Sequence, residues 1–144
     1  RAEVDTVLSF CHYTLQDTSL TSLVPYLNEK GIGIINASPL GMGLLTERGP
    51  NKGHPATDEI KMICAEAVAY CRDRGKDIAK LAVQFGLANP DFQTTLIGTT
   101  RPEHLSENVE WTESDMDEQL LAEVETILAP VRDKTWPRGL PENN

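Results

Sequence analysis

The sequence predicts an α/β fold in which short parallel strands alternate with helices. Short apolar segments at residues 6–10, 33–36 and 94–97 indicate three strands. The middle strand lies in the run 32–35, which is apolar without alternation and therefore favours burial on both faces. Segments with helical spacing of apolar residues separate the strands, and this order is typical of a parallel sheet with right-handed crossovers.

The first helix is predicted between the first two strands. Its apolar positions are Leu20, Leu23, Val24 and Leu27. We expect Asp17, Thr18 or Ser19 to cap it. Pro25 is expected to bend this helix, and Gly31 to end it.

A long loop rich in Gly and Pro, residues 37–56, follows the second strand. Loops of this length inside compact domains are usually functional or mobile, and we expect His54 within it to be solvated. Thr57 opens a helix with acidic residues in its first turn, and Gly75 ends that helix. The next helix covers Ile78–Ala88. Its inward-facing residues are expected to be Leu81, Ala82, Phe85 and Leu87.

Two further helices are predicted after the third strand. Thr100 and Glu103 have the spacing of a capping box at the start of the first one. Asn108 is a poor helix former, so its place inside this helix indicates either a specific hydrogen bond or a surface position. Residues 114–117 cap the last helix, and the tail that follows carries Trp136. We expect this tail to lie as an arm over a surface.

Composition excludes several classes of function. The chain has 144 residues with 13 Lys and Arg against 22 Asp and Glu, a formal net charge of −9, which argues against binding a nucleic-acid backbone. No apolar run approaches about 18 residues and no signal peptide is present, so no membrane span is expected. Cys11, Cys64 and Cys71 lack metal-ligand spacing, so we expect no metal site. They favour a reducing compartment, the cytoplasm.

Three strand–helix units leave a parallel sheet with two open edges. An eight-fold barrel typically needs about 250 residues, and this sequence starts at Arg1 without a Met. We therefore expect residues 1–144 to be the C-terminal three strand–helix units of a (β/α)8 TIM-type barrel, an incomplete single domain whose upstream part is missing. Such a chain is expected to expose apolar strand edges, and to associate or stay loosely packed.

Two strand–loop junctions suggest a nucleotide or phosphate site. At the first, Ser38 and Pro39 end a strand, while Gly41 and Gly43 allow a tight backbone turn. At the second, residues 98–100 open a helix, where amide groups and the helix dipole favour an anion. An ordinary capped helix start is the alternative for this second junction.

Other chemistry-bearing residues leave alternatives open. His12 and Tyr13 follow the end of the first strand, where a functional role and simple packing are equally compatible with the sequence. The sequence contains no nucleophile–base pair with a recognisable spacing.

Two segments resemble one enzyme family. Residues 36–46, NASPLGMGLLT, resemble the strand-seven pattern of aldo-keto reductases, which reads aromatic-Ser-Pro-Leu-x-x-Gly-x-Leu-Thr. Residues 97–108, IGTTRPEHLSEN, resemble the strand-eight cofactor motif of the same family. The resemblance covers essentially the whole chain, and residues 8–15, 127–131 and 135–137 are closest to family members that act on sugars.

The resemblance implies a nicotinamide cofactor that is held without a Rossmann fold. By motif position, the residues on the pyrophosphate side would be Ser38, Leu40 and Gly41. Those beside the adenosine phosphates would be Gly98, Thr99 and Thr100, and those by the adenine Glu107 and Asn108.

Three departures from the family pattern bear on the cofactor. Ala37 replaces the aromatic residue that usually stacks on the nicotinamide ring. Phe10 stands where many members have a Gln, so Phe10 is expected to supply part of the ring contact. Positions that are often basic around a 2′-phosphate hold Gly98 and His104, although Arg101 is near, which favours NAD over NADP.

The resemblance also implies what this chain lacks. The family's catalytic Asp, Tyr, Lys and His lie in the first half of the barrel, and His12 and Tyr13 do not match them. The chain alone is therefore not expected to catalyse. The intact protein is expected to transfer hydride between the cofactor and a small sugar, oxidising an aldose such as L-galactose to its lactone with Tyr as acid/base. A cofactor-binding regulatory subunit of the potassium-channel β-subunit type and an inactive truncated product remain the alternatives.

Overall fold

The computed structural model describes residues 3–99 and 101–137. Its strands are β1 Thr6–Phe10, β2 Gly33–Ala37 and β3 Thr94–Leu96, which form one parallel sheet in the order β1-β2-β3. Its α-helices are α1 Val24–Glu29, α2 Asp58–Arg72, α3 Ile78–Ala88, α4 Pro102–Thr112 and α5 Glu118–Leu128. The predicted α/β class with three parallel strands is confirmed. No helix among these residues is long and apolar enough to cross a membrane.

Side-chain caps fix the starts of three helices. The Oγ1 of Thr57 accepts from the Ile60 N–H at 3.3 Å, so α2 begins where the sequence predicted. The Oδ1 atoms of Asp77 and Asp117 cap α3 and α5 in the same way. These bonds satisfy backbone donors that would otherwise lack an intrahelical partner.

The predicted first helix is divided in two. A 3-10 turn covers Ser19–Leu23, and α1 begins only at Val24. Pro25 lies in the first turn of α1, where its missing N–H leaves no hydrogen bond unmade. Thr18 precedes the turn without a side-chain cap.

The predicted capping box of α4 is wrong. The N-cap is Arg101, without a side-chain cap bond, and the helix starts at Pro102. Proline favours the first helical position because its φ is already helical there, which displaces the predicted start by one residue. Thr100 itself lies outside the described residues.

One face of the sheet is covered by helices. Ile34 and Asn36 point to this face and are fully buried. Ile34 packs in a cluster with Tyr13, Leu20, Val24 and Leu27. This cluster holds α1 against β2.

The opposite face of the sheet is open. Leu8, Phe10 and Leu96 are exposed by 55%, 37% and 47%, and Ile35 is only half-buried. The predicted burial of β2 on both faces is therefore wrong, because no layer of the described chain covers this side. The apolar exposure observed is thus on a face of the sheet, whereas the expectation of exposed strand edges and of association stays a prediction.

A larger core joins α2, α3, α5 and the long loop. The three thiols lie in it, and Leu44 and Leu45 anchor the loop there with almost no exposure. Leu87 was expected to face inward on α3, but 43% of it is exposed.

The backbone of α3 approaches the sheet closely at Gly86. A Cβ at this position would lie 3.0 Å from the Cβ of Pro39 and 3.5 Å from the Nδ2 of Asn36. The carbonyl of Gly86 accepts from the Thr95 hydroxyl at 2.9 Å. Glycine at 86 thus lets α3 lie directly against the ends of β2 and β3.

We expect Gly86→Val to lower the free energy of unfolding by about 1–3 kcal/mol, because the added atoms cannot fit without moving Pro39. Gly53→Val is the control with the same side chain, since a Cβ at Gly53 meets nothing within 4 Å. Urea unfolding of both variants measures the difference. Equal unfolding midpoints for Gly86→Val and the unaltered chain would contradict the close approach.

We also expect the Cys64 and Cys71 thiols to resist modification in the folded chain. Burial raises the pKa of the Cys64 thiol to about 12, and burial together with the Asp77 carboxylate raises that of Cys71 to about 11. Thiolate, the reactive form, is therefore scarce at neutral pH. A disulfide reagent should react with these cysteines only after urea is added, and rapid labelling without urea would refute this.

Candidate functional site

The first two strands end in the same unusual way. Cys11 and Ser38, which follow β1 and β2 directly, have φ angles of 65° and 63°, a region that non-glycine residues seldom adopt. The Cys11 N–H donates to the Ala37 carbonyl at 3.0 Å, and the Ser38 N–H donates to the Leu96 carbonyl at 2.9 Å. These bonds bring the carboxyl ends of the three strands to one edge.

The loop after β2 continues with three left-handed residues. Gly41, Met42 and Gly43 have φ angles of 55°, 56° and 99°. The Met42 N–H lies 3.4 Å from the Ser38 Oγ, which accepts from it, so the hydroxyl hydrogen of Ser38 can be donated elsewhere. Sparsely populated backbone conformations of this kind cluster at functional sites.

A cavity of about 870 Å³ lies between this loop, the segment after β3 and α4. Seven predicted site residues line it, namely Ser38, Leu40, Gly98, Thr99, His104, Glu107 and Asn108. Two segments far apart in the sequence therefore meet on one cavity, as their position after parallel strands predicted.

The other two predicted site residues are not among the described residues that line the cavity. Gly41 is buried and is not among the lining residues, while Thr100 is outside the described part of the chain. The Thr99 hydroxyl donates to the Arg101 carbonyl at 3.2 Å. The Arg101 N–H in turn donates to the Thr99 Oγ1, so this hydroxyl closes its own turn.

One face of α4 forms a wall of the cavity. His104, Glu107, Asn108 and Trp111 line it, and their spacing of three, four and seven residues places them on the same helix face. Trp111 was not predicted as a site residue. The helical spacing of Trp111 from the predicted residues of α4 is present in the sequence and could have identified it.

Charged residues of both signs border the cavity. The lining includes the cations Arg48 and Arg101, and the acids Glu47, Asp77 and Glu107. Arg48 and Glu47 come from the long loop and were missed because nothing in the sequence indicates how that loop folds back. The arginines can compensate an anionic ligand, and the carboxylates can accept from its hydroxyl groups.

The residues after β1 serve different purposes. Tyr13 is buried and stacks on Phe85 with ring centroids 5.0 Å apart, so packing is its role. The Nδ1 of His12 lies 3.1 Å from the Oδ2 of the buried Asp17. Phe10 pairs with Ala37 across β1 and β2 on the open face of the sheet.

The expected solvation of His54 is wrong, since only 5% of this residue is exposed. Its Nε2 lies 3.1 Å from the Gly41 carbonyl, and its ring packs edge-on against Trp136. The expected arm of the tail is confirmed as far as Trp136, which is 6% exposed. The described residues contain no cluster of ligands suited to a metal ion.

Comparison with known proteins agrees with this geometry. The family model described as "Aldo/keto reductase family" matches residues 1–129. An L-galactose dehydrogenase of Arabidopsis thaliana is 48% identical over 97% of this chain, which covers 45% of that protein. A D-arabinose 1-dehydrogenase of Saccharomyces cerevisiae is 32% identical over 59% of this chain and 26% of that protein.

The fold is similar to a solved relative. The aldo-keto reductase AKR11C1 of Bacillus halodurans, in its holo form, matches with a TM-score of 0.65 and 20% identity. The match covers 96% of this chain and 46% of the other, so this chain spans about half the length of the relatives. The family and the sugar-dehydrogenase relatives indicated by the sequence are both confirmed. The chain belongs to the aldo/keto reductase family.

Proposed function

We propose that the cavity binds a nicotinamide dinucleotide and that this chain is the cofactor-binding part of an oxidoreductase that acts on sugars. One observation carries the proposal, namely that the segments after β2 and β3 meet on a single cavity. Ligands of parallel α/β folds lie at this edge of the sheet.

The residues present are suited to such a ligand. The cavity volume of about 870 Å³ falls in the usual range for small-molecule sites, roughly 300–1,000 Å³. A Cβ at Gly98 would meet no atom within 4 Å, so the backbone there is open to a ligand. Arg48 and Arg101 supply positive charge for a pyrophosphate, and the Ser38 hydroxyl supplies a donor.

The acids around the cavity favour NAD over NADP. Glu107 on α4 can accept from a ribose hydroxyl, whereas it would repel a 2′-phosphate. Asn108 offers both a donor and an acceptor to an adenine edge. A 2′-phosphate would instead be attracted by Arg101, the N-cap of α4, and by His104. The preference for NAD therefore requires that the repulsion from Glu107 outweigh this attraction.

The nicotinamide ring, when bound, accepts or donates the hydride. In this chain the proposed role of Phe10 is to face that ring beside Ala37, since the two residues are register partners at the ends of β1 and β2. The role of the Ser38–Leu45 loop is to hold the phosphates at the edge of the sheet.

We infer that residues 1–144 are the C-terminal part of one barrel. The open face of the sheet exposes Leu8, Phe10 and Leu96, and α4 has no buried residue. A complete barrel would cover these surfaces and supply the acid/base residues that are missing here. The buried cysteines of the described chain, which form no disulfide with one another, fit a protein of the reducing cytoplasm.

Dinucleotide binding is tested by the fluorescence of Trp111, which lines the cavity. In the full protein that carries this chain, NAD⁺ should quench it more strongly than NADP⁺ at equal concentration. Gly98→Val should weaken the effect, because its side chain would occupy the space beside the backbone where the ligand is proposed to lie, whereas Gly53→Val should not. The Trp111→Phe variant gives the fluorescence of the other tryptophans, Trp136 among them, which is subtracted. If NAD⁺ leaves the fluorescence unchanged, or if Gly98→Val binds as well as the unaltered protein, the site is assigned wrongly.

Activity is tested with a panel of sugars. L-galactose or a related aldose should produce NADH with the full protein, while residues 1–144 alone should produce none. Reduction of aldehydes with NADPH, without oxidation of any aldose, would contradict the proposal. Dinucleotide binding without turnover of any substrate would support the regulatory-subunit alternative instead.

A further inference from the structure

We propose that His54 is a positioning residue, which fixes the loop after β2 in the shape that receives the dinucleotide. The inference rests on the proposed function of the cavity. His54 does not line the cavity and acts on it through the backbone of Gly41.

The hydrogen bonds of His54 define its chemical form. Its Nδ1 accepts from the Ala56 N–H at 3.1 Å. Its Nε2 faces the carbonyl of Gly41 at 3.1 Å, and a carbonyl can only accept. The ring is therefore neutral, with the hydrogen on Nε2, and both nitrogens are used.

The bond to Gly41 acts on one peptide group of the loop. The carbonyl of that peptide is the atom that His54 contacts, and it also accepts from the Leu44 N–H at 3.2 Å. The N–H of the same peptide belongs to Met42 and faces the Ser38 Oγ at 3.4 Å. His54 and Ser38 thus hold opposite ends of one peptide plane, and a rotation of this plane would break both contacts.

This peptide is also where the backbone most needs support. Gly41 and Met42, on its two sides, both have left-handed φ angles. For Met42 this conformation brings the Cβ close to the following carbonyl oxygen and is unfavourable, so it persists only where surrounding contacts oppose relaxation. Ser38 and Met42 both line the cavity, so a change in this peptide would change the shape of the ligand site.

The ring of His54 is itself held in place. Its backbone N–H donates to the Asn51 carbonyl at 2.9 Å. Trp136 packs on it with ring centroids 5.0 Å apart and an angle of 66° between the planes. The segment that carries Trp136 is fixed by the buried Gln16, whose Nε2 donates to the carbonyls of Val131 and Lys134 at 2.7 and 2.8 Å.

Two amide substitutions separate the two bonds of the ring. In His54→Gln the side-chain nitrogen can reach the former Nε2 position and donate to Gly41, but the bond from Ala56 is lost. In His54→Asn the side-chain oxygen can replace Nδ1 and accept from Ala56, but it leaves Gly41 without this donor. Each variant loses one neutral hydrogen bond. If the role of His54 were purely structural, the two variants would therefore have similar stability and similar affinity for NAD⁺.

The positioning role predicts that the two variants differ in their affinity for NAD⁺. In the full protein, the Kd for NAD⁺, measured by Trp111 fluorescence, should rise roughly three- to tenfold in His54→Asn and less than about twofold in His54→Gln. Urea midpoints of the two should agree. Equal Kd values, or a weaker His54→Gln, would overturn the inference while leaving NAD⁺ binding by the unaltered protein as support for the proposed function.

A second measurement does not depend on the cofactor. Hydrogen exchange of the Met42 amide should be faster in His54→Asn than in His54→Gln, because only the first releases the peptide after Gly41. Equal exchange rates would overturn the inference even if NAD⁺ binds. Absence of NAD⁺ binding by the unaltered protein would instead refute the proposed function, and the exchange rates would then decide whether His54 holds the loop.

Discussion

The parallel register that ends all three strands at one edge is the constraint on which the rest of the structure depends. Phe10 pairs with Ala37, and Ala37 with Leu96. The next residues, Cys11 and Ser38, turn left-handed and donate back to the neighbouring strand. A slip of one residue would exchange the two faces of a strand and would separate the two loops that share the cavity. The site is therefore a property of the register as much as of its own residues.

The two faces of the sheet explain why the site lies where it does. On the covered face, Gly86 lets α3 approach so closely that Asn36 is fully enclosed. The Nδ2 of Asn36 donates to the Tyr13 carbonyl at 3.3 Å, while its Oδ1 meets no donor among the described residues. Such an atom costs about 1–3 kcal/mol. Together with the left-handed residues of the loop, it concentrates unfavourable local interactions at the carboxyl edge of β2, and the packing of Ile34 and the larger core must offset them.

Local signals in the sequence were sufficient for much of the fold and for seven of the residues that line the candidate site. Thr57 and Asp117 cap helices because a short polar side chain before an apolar run can accept from the unpaired N–H groups of the first turn. Contacts between distant segments were not predictable in this way. The burial of His54 depends on Trp136, which is far away in the sequence, and the face beside Ile35 is open because none of the described helices packs on it. Arg101 became the N-cap of α4 because the preference of Pro102 for the first helical position outweighed the capping-box spacing.

The walls of the cavity are supported very unequally. The loop after β2 is anchored by Leu44, Leu45 and His54, all of which are buried, and the two leucines belong to the larger core. The wall formed by α4 has no buried residue, and its C-terminal end is tied to α3 by Gln84, whose Nε2 donates to the carbonyls of Trp111 and Ser114 at 3.0 and 2.7 Å. A ligand that contacts both walls adds to α4 the contacts it lacks, and by linkage its binding energy stabilises the state in which α4 is docked. Under the proposed function, the anchored loop would set the shape that the ligand meets, and α4, which has no buried residue, would gain the most contacts from binding.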